Sequence, residues 1–194
     1  MIKTTAMLLK ELQDFRAPAN KLALMVKQGK IFPIVRGLYE TDNATPGYLL
    51  AASIYGPSYL SFEFALAYWH LIPEAVFVFT SATFAKKKRK RFETGFGVFT
   101  YRDVPKNVYP LGIRIINEGD YSYFIAEPEK ALCDKLYIMP PVSSIKNLEA
   151  LLFSDLRIDR QQYALLNKEN LLHYAGLYRT TNHKLLKKFV RREK

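Results

Sequence analysis

Three histidines, one cysteine and a few acidic residues are the groups in this chain that could do metal or covalent chemistry. Their spacing argues against it. His70, His173 and His183 are far apart and have no cysteine cluster beside them, whereas a zinc site needs closely spaced ligand pairs. His70 follows Tyr68 and Trp69 on an apolar helix and reads as structural. Cys133 has no nucleophile context and reads as a small core residue. Glu127 and Glu129 fall at a helix start, where carboxylates interact favourably with the first amides. No Gly-x4-Gly-Lys-Ser/Thr loop occurs, and Gly95-Phe96-Gly97 is only a fragment of a dinucleotide fingerprint. Neither Glu93 nor Asp103 has a lysine two residues later, as a restriction-nuclease arrangement would want. The chain therefore reads as not an enzyme, with no cofactor and no metal.

The chemistry these residues do support is electrostatic. Among 194 residues, 29 Lys+Arg face 18 Asp+Glu, a formal charge of +11. Such an excess points to an anionic partner: nucleic acid, a membrane surface or an acidic protein. Three stretches concentrate it. In the first, a helix carrying Asn20, Lys21 and Lys27 leads through Lys30 to a hairpin with Arg36 at its tip. A helix fits the major groove and a hairpin reaches the flanking backbone, so these residues are candidate DNA contacts. Residues 1–44 hold 7 basic and 4 acidic side chains, a surplus of only +3. The second stretch is Lys86, Lys87, Lys88, Arg89, Lys90 and Arg91, read as a loop between two strands. Six adjacent cations repel one another and need solvent or polyanion, and each phosphate they neutralise steepens the salt dependence by about 0.9. The third is the C-terminus, where Arg179, Lys184, Lys187, Lys188, Arg191, Arg192 and Lys194 (the last outside the residues the structure describes) sit among Leu185, Leu186, Phe189 and Val190 as an amphipathic basic helix. It could lie on nucleic acid, on an anionic membrane or on an acidic protein, or dock its apolar face on the domain.

The elements that must position these charges are legible in the pattern. About 49% of the chain is apolar, which excludes a disordered polymer. One cysteine, no signal-peptide pattern at the start and no window of roughly 18–20 apolar residues predict a soluble, cytoplasmic protein. Leu8, Leu12 and Phe15 predict a helix over 3–15, and Pro18 opens a second that runs to about Gln28. Leu22, Met25 and Val26 form its inner face; Asn20, Leu24 and Lys27 lie on the other. A hairpin around Arg36-Gly37 follows, then turn formers over 41–47, taken as a boundary between units 1–44 and 45–194. Next come a helix over 48–55, a helix capped by Ser61, and a buried strand over 75–80. Further strands cover 92–101, 112–117 and 121–126, and a helix starts at Pro128. The rest is helical, with Asp159, Asn170 and Asn182 as candidate N-caps.

Several segments together resemble a known family. They are Gly29 through Arg36-Gly37-Leu38-Tyr39; Leu60-Ser61-Phe62-Glu63-Phe64-Ala65-Leu66 with His70; Phe77-Val78-Phe79-Thr80 and its basic loop; Tyr101-Arg102-Asp103-Val104-Pro105; and, most clearly, Ala126-Glu127-Pro128-Glu129-Lys130-Ala131-Leu132-Cys133-Asp134-Lys135-Leu136. Their order and spacing resemble AbiEi-type antitoxins, the regulator half of abortive-infection and type IV toxin–antitoxin systems. The resemblance covers residues 7–155. It implies an α+β protein, a winged-helix-like module followed by an AbiEi-type domain with a helical tail. It implies binding to duplex DNA at the operator of its own operon and antagonism of a cognate nucleotidyltransferase toxin, typically without a tight complex. Two helices, not three, precede the hairpin here. The rival expectation is an interaction protein that neutralises an acidic partner without specific DNA binding.

Overall fold

The computed structural model describes residues 1–192 and is mixed α+β, built on two sheets. The first sheet belongs to β1 (Ile2–Thr4), α1 (Thr5–Glu11), α2 (Pro18–Lys27), β2 (Phe32–Val35) and β3 (Leu38–Glu40). Its strands lie in the order β1-β3-β2 and are antiparallel. β1 corrects the expectation of one helix from residue 3. Ile2 and Thr4 are β-branched and gain partners in Glu40 and Leu38, which favours strand over helix at this end. The helix starts at Thr5, with the Thr4 hydroxyl accepting from the Met7 amide at 3.3 Å. It ends at Glu11, so Leu8 and Leu12 are buried while Phe15 stays exposed. Pro18 opens α2 as expected, and Leu22 faces inward while Asn20, Leu24 and Lys27 face solvent. Leu8, Leu12, Leu22 and Ile31 make a small core of their own. Ile34, with Val35 and Leu38, joins the main core instead.

The second sheet holds β4 (Tyr59–Leu60), β5 (Val78–Thr83), β6 (Lys90–Thr94), β7 (Gly97–Asp103), β8 (Ile113–Glu118) and β9 (Tyr121–Ala126). Its order is β6-β7-β5-β4-β9-β8, with β4 parallel to β9 and β5 parallel to β7. Three expectations need correction. The strand expected over 75–80 runs over 78–83, and Phe77 is 84% exposed. The single strand expected over 92–101 is a hairpin of β6 and β7, turned at Gly95-Phe96 and released by Gly97 at φ +120°. β4 was not expected at all, because a two-residue strand has no period to read.

Residues 41–47 are not a free tether. Asp42 caps the Ala44 amide at 2.9 Å, and Thr45 and Gly47 are buried. A Cβ on Gly47 would lie 2.3 Å from the Phe79 ring and from the Phe96 carbonyl. Only glycine lets the chain press this close to β5 and the β6–β7 turn. A 3₁₀ turn over Gly47–Leu50 then leads into α3 (Ala51–Ile54), where a continuous helix over 48–55 was expected.

Helices α4 (Phe62–Tyr68) and α5 (Pro128–Ile138) pack together, and α8 (Lys168–Leu177) and α9 (Thr181–Arg192) pack on α5. Between them run α6 (Ile145–Ala150), a π turn over Leu151–Asp155 and α7 (Arg160–Leu165). Asp159 caps α7 as expected, but Asn167, not Asn170, caps α8. Asn182 lies inside α9, fully buried, and gives its amide to the Leu136 and Pro140 carbonyls while accepting from the Val142 amide. Ser61 precedes α4 without capping it, since its hydroxyl goes to Asp134.

Candidate nucleic-acid interface

On α2 and the turn after it, Asn20, Lys27 and Lys30 are exposed. Lys21 is not a free cation: it is half-buried with Nζ 4.6 Å from the Phe15 ring centroid, a cation–π contact that fastens α2 to the turn after α1. Leu24, 46% exposed, lies beside Asn20 and Lys27 on the outward face. Arg36 stands exposed at the β2–β3 turn and has no ion pair among the described residues. Gly37 takes φ +85° there, and its carbonyl accepts from the Thr5 amide at 3.0 Å. The hairpin tip is therefore tied to the start of α1 while the guanidinium stays in solvent.

The six-cation stretch is not a single loop. Lys86–Arg89 form the connection after β5, and Lys90 and Arg91 open β6. Lys86 is held within the chain, its Nζ 2.9 Å from the Gly56 carbonyl and 5.1 Å from the Tyr55 ring centroid. Arg91 grips Glu93 at 2.8 Å. That leaves the side chains of Lys87, Lys88, Arg89 and Lys90 exposed and without an ion pair among the described residues. Asp103 shapes the connection: its carboxylate accepts from the Thr83 hydroxyl at 2.6 Å and from the Lys87 amide at 2.7 Å. Ala85 and Lys87 both adopt positive φ, 55° and 57°, a conformation that non-glycine residues keep only when their surroundings fix it.

The two cationic groups meet through their elements. β2 packs against β6, so the hairpin that carries Arg36 is beside the strand that carries Lys90 and Arg91. The third group takes the docked arrangement. Leu186, Phe189 and Val190 of α9 are buried, and Lys184, Lys188, Arg191 and Arg192 face solvent. An apolar face already used for packing cannot also enter a lipid layer. No helix among the described residues is long and apolar enough to cross a membrane.

The motif over 126–136 is architecture. Lys130 and Asp134, one turn apart on α5 and both 0% exposed, pair at 2.5 Å. Lys130 also donates to the Tyr59 phenol at 2.6 Å and to the Tyr178 phenol at 2.9 Å. Asp134 accepts from Tyr59 at 2.9 Å, from Ser61 at 2.7 Å and from Tyr178. All three ammonium protons and both carboxylate oxygens thus have partners, which is what burial of two charges demands. Burial and the Asp134 carboxylate push both phenols well above the usual tyrosine range. Glu129 accepts from the Asn167 amide at 2.7 Å, and Glu127 from the Tyr174 hydroxyl at 2.8 Å. Cys133 is a core residue as expected, and burial raises its thiol pKa far above the ordinary value. The only early signal of the Lys130–Asp134 pair was its four-residue spacing on a helix.

His70 is not the structural histidine: it is exposed beyond the end of α4, at φ 58°. That role belongs to His183, fully buried and stacked on Tyr178 at 4.2 Å. Nε2 lies 2.9 Å from the Cys133 carbonyl and so carries the proton; Nδ1 accepts from the Thr180 hydroxyl at 2.6 Å. Burial lowers its pKa from 6.5 to about 4, against the opposing pull of the Cys133 carbonyl. In the unfolded chain His183 protonates near 6.5, so its contribution to stability is complete above that pH and fades as pH falls toward 4. The expected loss across this window is roughly 3 kcal/mol, from 1.36 kcal/mol per pKa unit. Urea midpoints at about pH 7 and about pH 5 check it, and should show roughly 2 kcal/mol of this loss. His183→Gln removes this part of the slope, and an unchanged slope in that variant refutes the assignment.

Among the described residues, no group of three His, Cys, Asp or Glu side chains is placed to hold a metal ion. No protein-family model matches the chain, and no curated protein matches it in sequence.

Proposed function

We propose that the protein is a DNA-binding autoregulator that grips duplex DNA through the β1–β3 module and the 87–90 cations. It would act as the antitoxin half of a pair, opposing a nucleotidyltransferase toxin. The observation that carries the DNA reading is the packing of β2 on β6, which sets Arg36 beside the strand opened by Lys90 and Arg91. The module supports it by its layout: two helices, the second turned outward with Asn20 and Lys27, then a short hairpin on a sheet that β1 completes. This layout supports a winged-helix-like reading, with α2 as the helix offered to the major groove. Phosphate contacts from Arg36, Lys27, Lys30 and the connection would fix register, and Asn20 is the candidate base reader. The antitoxin role and its AbiEi-type domain rest on the ordered motifs over 7–155.

A titration against duplex DNA from upstream of its own reading frame, repeated at several salt concentrations, tests this reading. Affinity must fall steeply as salt rises; affinity flat with salt removes the electrostatic mechanism. Arg36→Glu should lower the salt slope by about one contact or more and leave the melting temperature nearly unchanged, because the exposed side chain has no ion pair to lose among the described residues. An unaltered gel shift in this variant takes the hairpin out of the interface.

One observation favours the rival reading. Met7, Phe15 and Leu24 are each 46–47% exposed on α1, α2 and the turn between them. Exposed apolar side chains on the module suit a protein surface, and contacts through them would depend less on salt than those of the basic surfaces.

A further inference from the structure

We propose that the chain self-associates through β8, forming a two-fold dimer by antiparallel pairing of this edge strand with β8 of a second copy. This goes beyond the DNA reading and does not depend on it. The six-stranded sheet ends in β6 on one side and β8 on the other. β6 is guarded by Lys90 and Arg91 and by the packing of β2, the usual protection of a sheet edge. β8 reads Ile-Arg-Ile-Ile-Asn-Glu, has no proline, and pairs only with β9. Its Ile115 is 63% exposed and stands opposite Phe124, itself 40% exposed. Both line a groove of about 580 Å³ with Ile113, Tyr109 and Pro110.

The backbone decides which groups this edge offers. The Glu127 amide donates to the Gly112 carbonyl at 2.8 Å, so Gly112 and Glu127 form a hydrogen-bonded pair. Antiparallel ladders alternate, so Arg114, Ile116 and Glu118 spend their backbone groups on β9. Those of Ile113, Ile115 and Asn117 turn outward, toward the open edge.

Charge complementarity selects the occupant and the register. With Ile116 on the two-fold axis, Ile115 meets Asn117 of the second copy, both through outward backbone groups. The same register sets Arg114 against Glu118, and by symmetry does so twice. Arg114 donates from Nε to Glu127 at 3.3 Å and lies over the Trp69 ring at 5.4 Å, and Glu118 accepts from Tyr48 through one oxygen at 2.7 Å. Each keeps further hydrogen-bonding positions for a cross-strand partner. The two copies of Ile115 become diagonal neighbours, about 7–8 Å apart, and shield each other from water.

Sedimentation velocity of the full chain, from low micromolar to high micromolar concentration, tests the proposal. The expected result is a concentration-dependent rise to twice the chain mass. Ile115→Lys should abolish the rise without moving the melting temperature. Arg114→Glu and Glu118→Arg should each weaken association, and the two together should restore it. Within one chain these positions are four residues apart along a strand, so only pairing between copies explains restoration. A single chain mass at every concentration, a dimer that survives Ile115→Lys, or a double exchange that fails to restore association overturns the proposal.

Discussion

Asp134→Ala should destabilise the protein by about 3–5 kcal/mol, because it leaves the Lys130 ammonium buried and uncompensated. Both side chains are fully enclosed, and three hydroxyls from outside α5 converge on them: Tyr59 in β4, Ser61 after it, and Tyr178 beyond α8. Removing the carboxylate strips an acceptor from Tyr59, Ser61 and Tyr178 together, and each hydroxyl left without a partner adds to the penalty. Against a total stability of about 5–15 kcal/mol for an ordinary domain, such a loss is large. Lys130→Met combined with Asp134→Leu should cost much less than the sum of the single changes, since no lone charge remains. Urea unfolding of Asp134→Ala, of each single change and of the double measures this. A cost below about 1 kcal/mol for Asp134→Ala would show that water reaches the pair.

The second large effect concerns binding. Replacing Lys87, Lys88, Arg89 and Lys90 together by glutamine should reduce the salt slope of DNA affinity by roughly three to four, at about 0.9 per phosphate contact. At physiological salt that corresponds to an affinity loss on the order of 10²–10³. Stability should hardly change, because these side chains are exposed and unpaired among the described residues. The Lys87 amide, which Asp103 holds, is untouched by the substitution. Leaving Lys86 and Arg91 in place makes the variant specific, since the first braces Gly56 and the second pairs with Glu93. Fluorescence anisotropy with a labelled duplex reads the slope. If the slope of the fourfold variant matches that of the unchanged protein, the connection makes no phosphate contact.

Local signals made much of this architecture readable. Pro18 and Gly29 bracketed α2, the Arg36-Gly37 turn revealed the hairpin, Gly119-Asp120 separated β8 from β9, and Pro128 opened α5. Elements settled by long-range pairing were not readable. β1 exists because β3, distant in sequence, receives Ile2, Lys3 and Thr4 opposite Glu40, Tyr39 and Leu38. β4 exists because Tyr59 and Leu60 fall between β5 and β9. The same holds for the site. The cations were visible as letters, but nothing local distinguished Lys86 and Arg91, which are engaged within the chain, from the four between them. Ser61 had the type and position of an N-cap and was taken by a buried carboxylate 73 residues away. His183 resembled a minor feature of a basic tail until Tyr178 and Cys133 enclosed it.

The carboxylate of Asp103 has one more consequence. It holds the Lys87 amide, at the second of the two left-handed residues Ala85 and Lys87. Part of the entropy of ordering that segment is therefore spent in folding, and under the proposed function a polyanion would meet a partly preorganised cradle rather than a floppy tether.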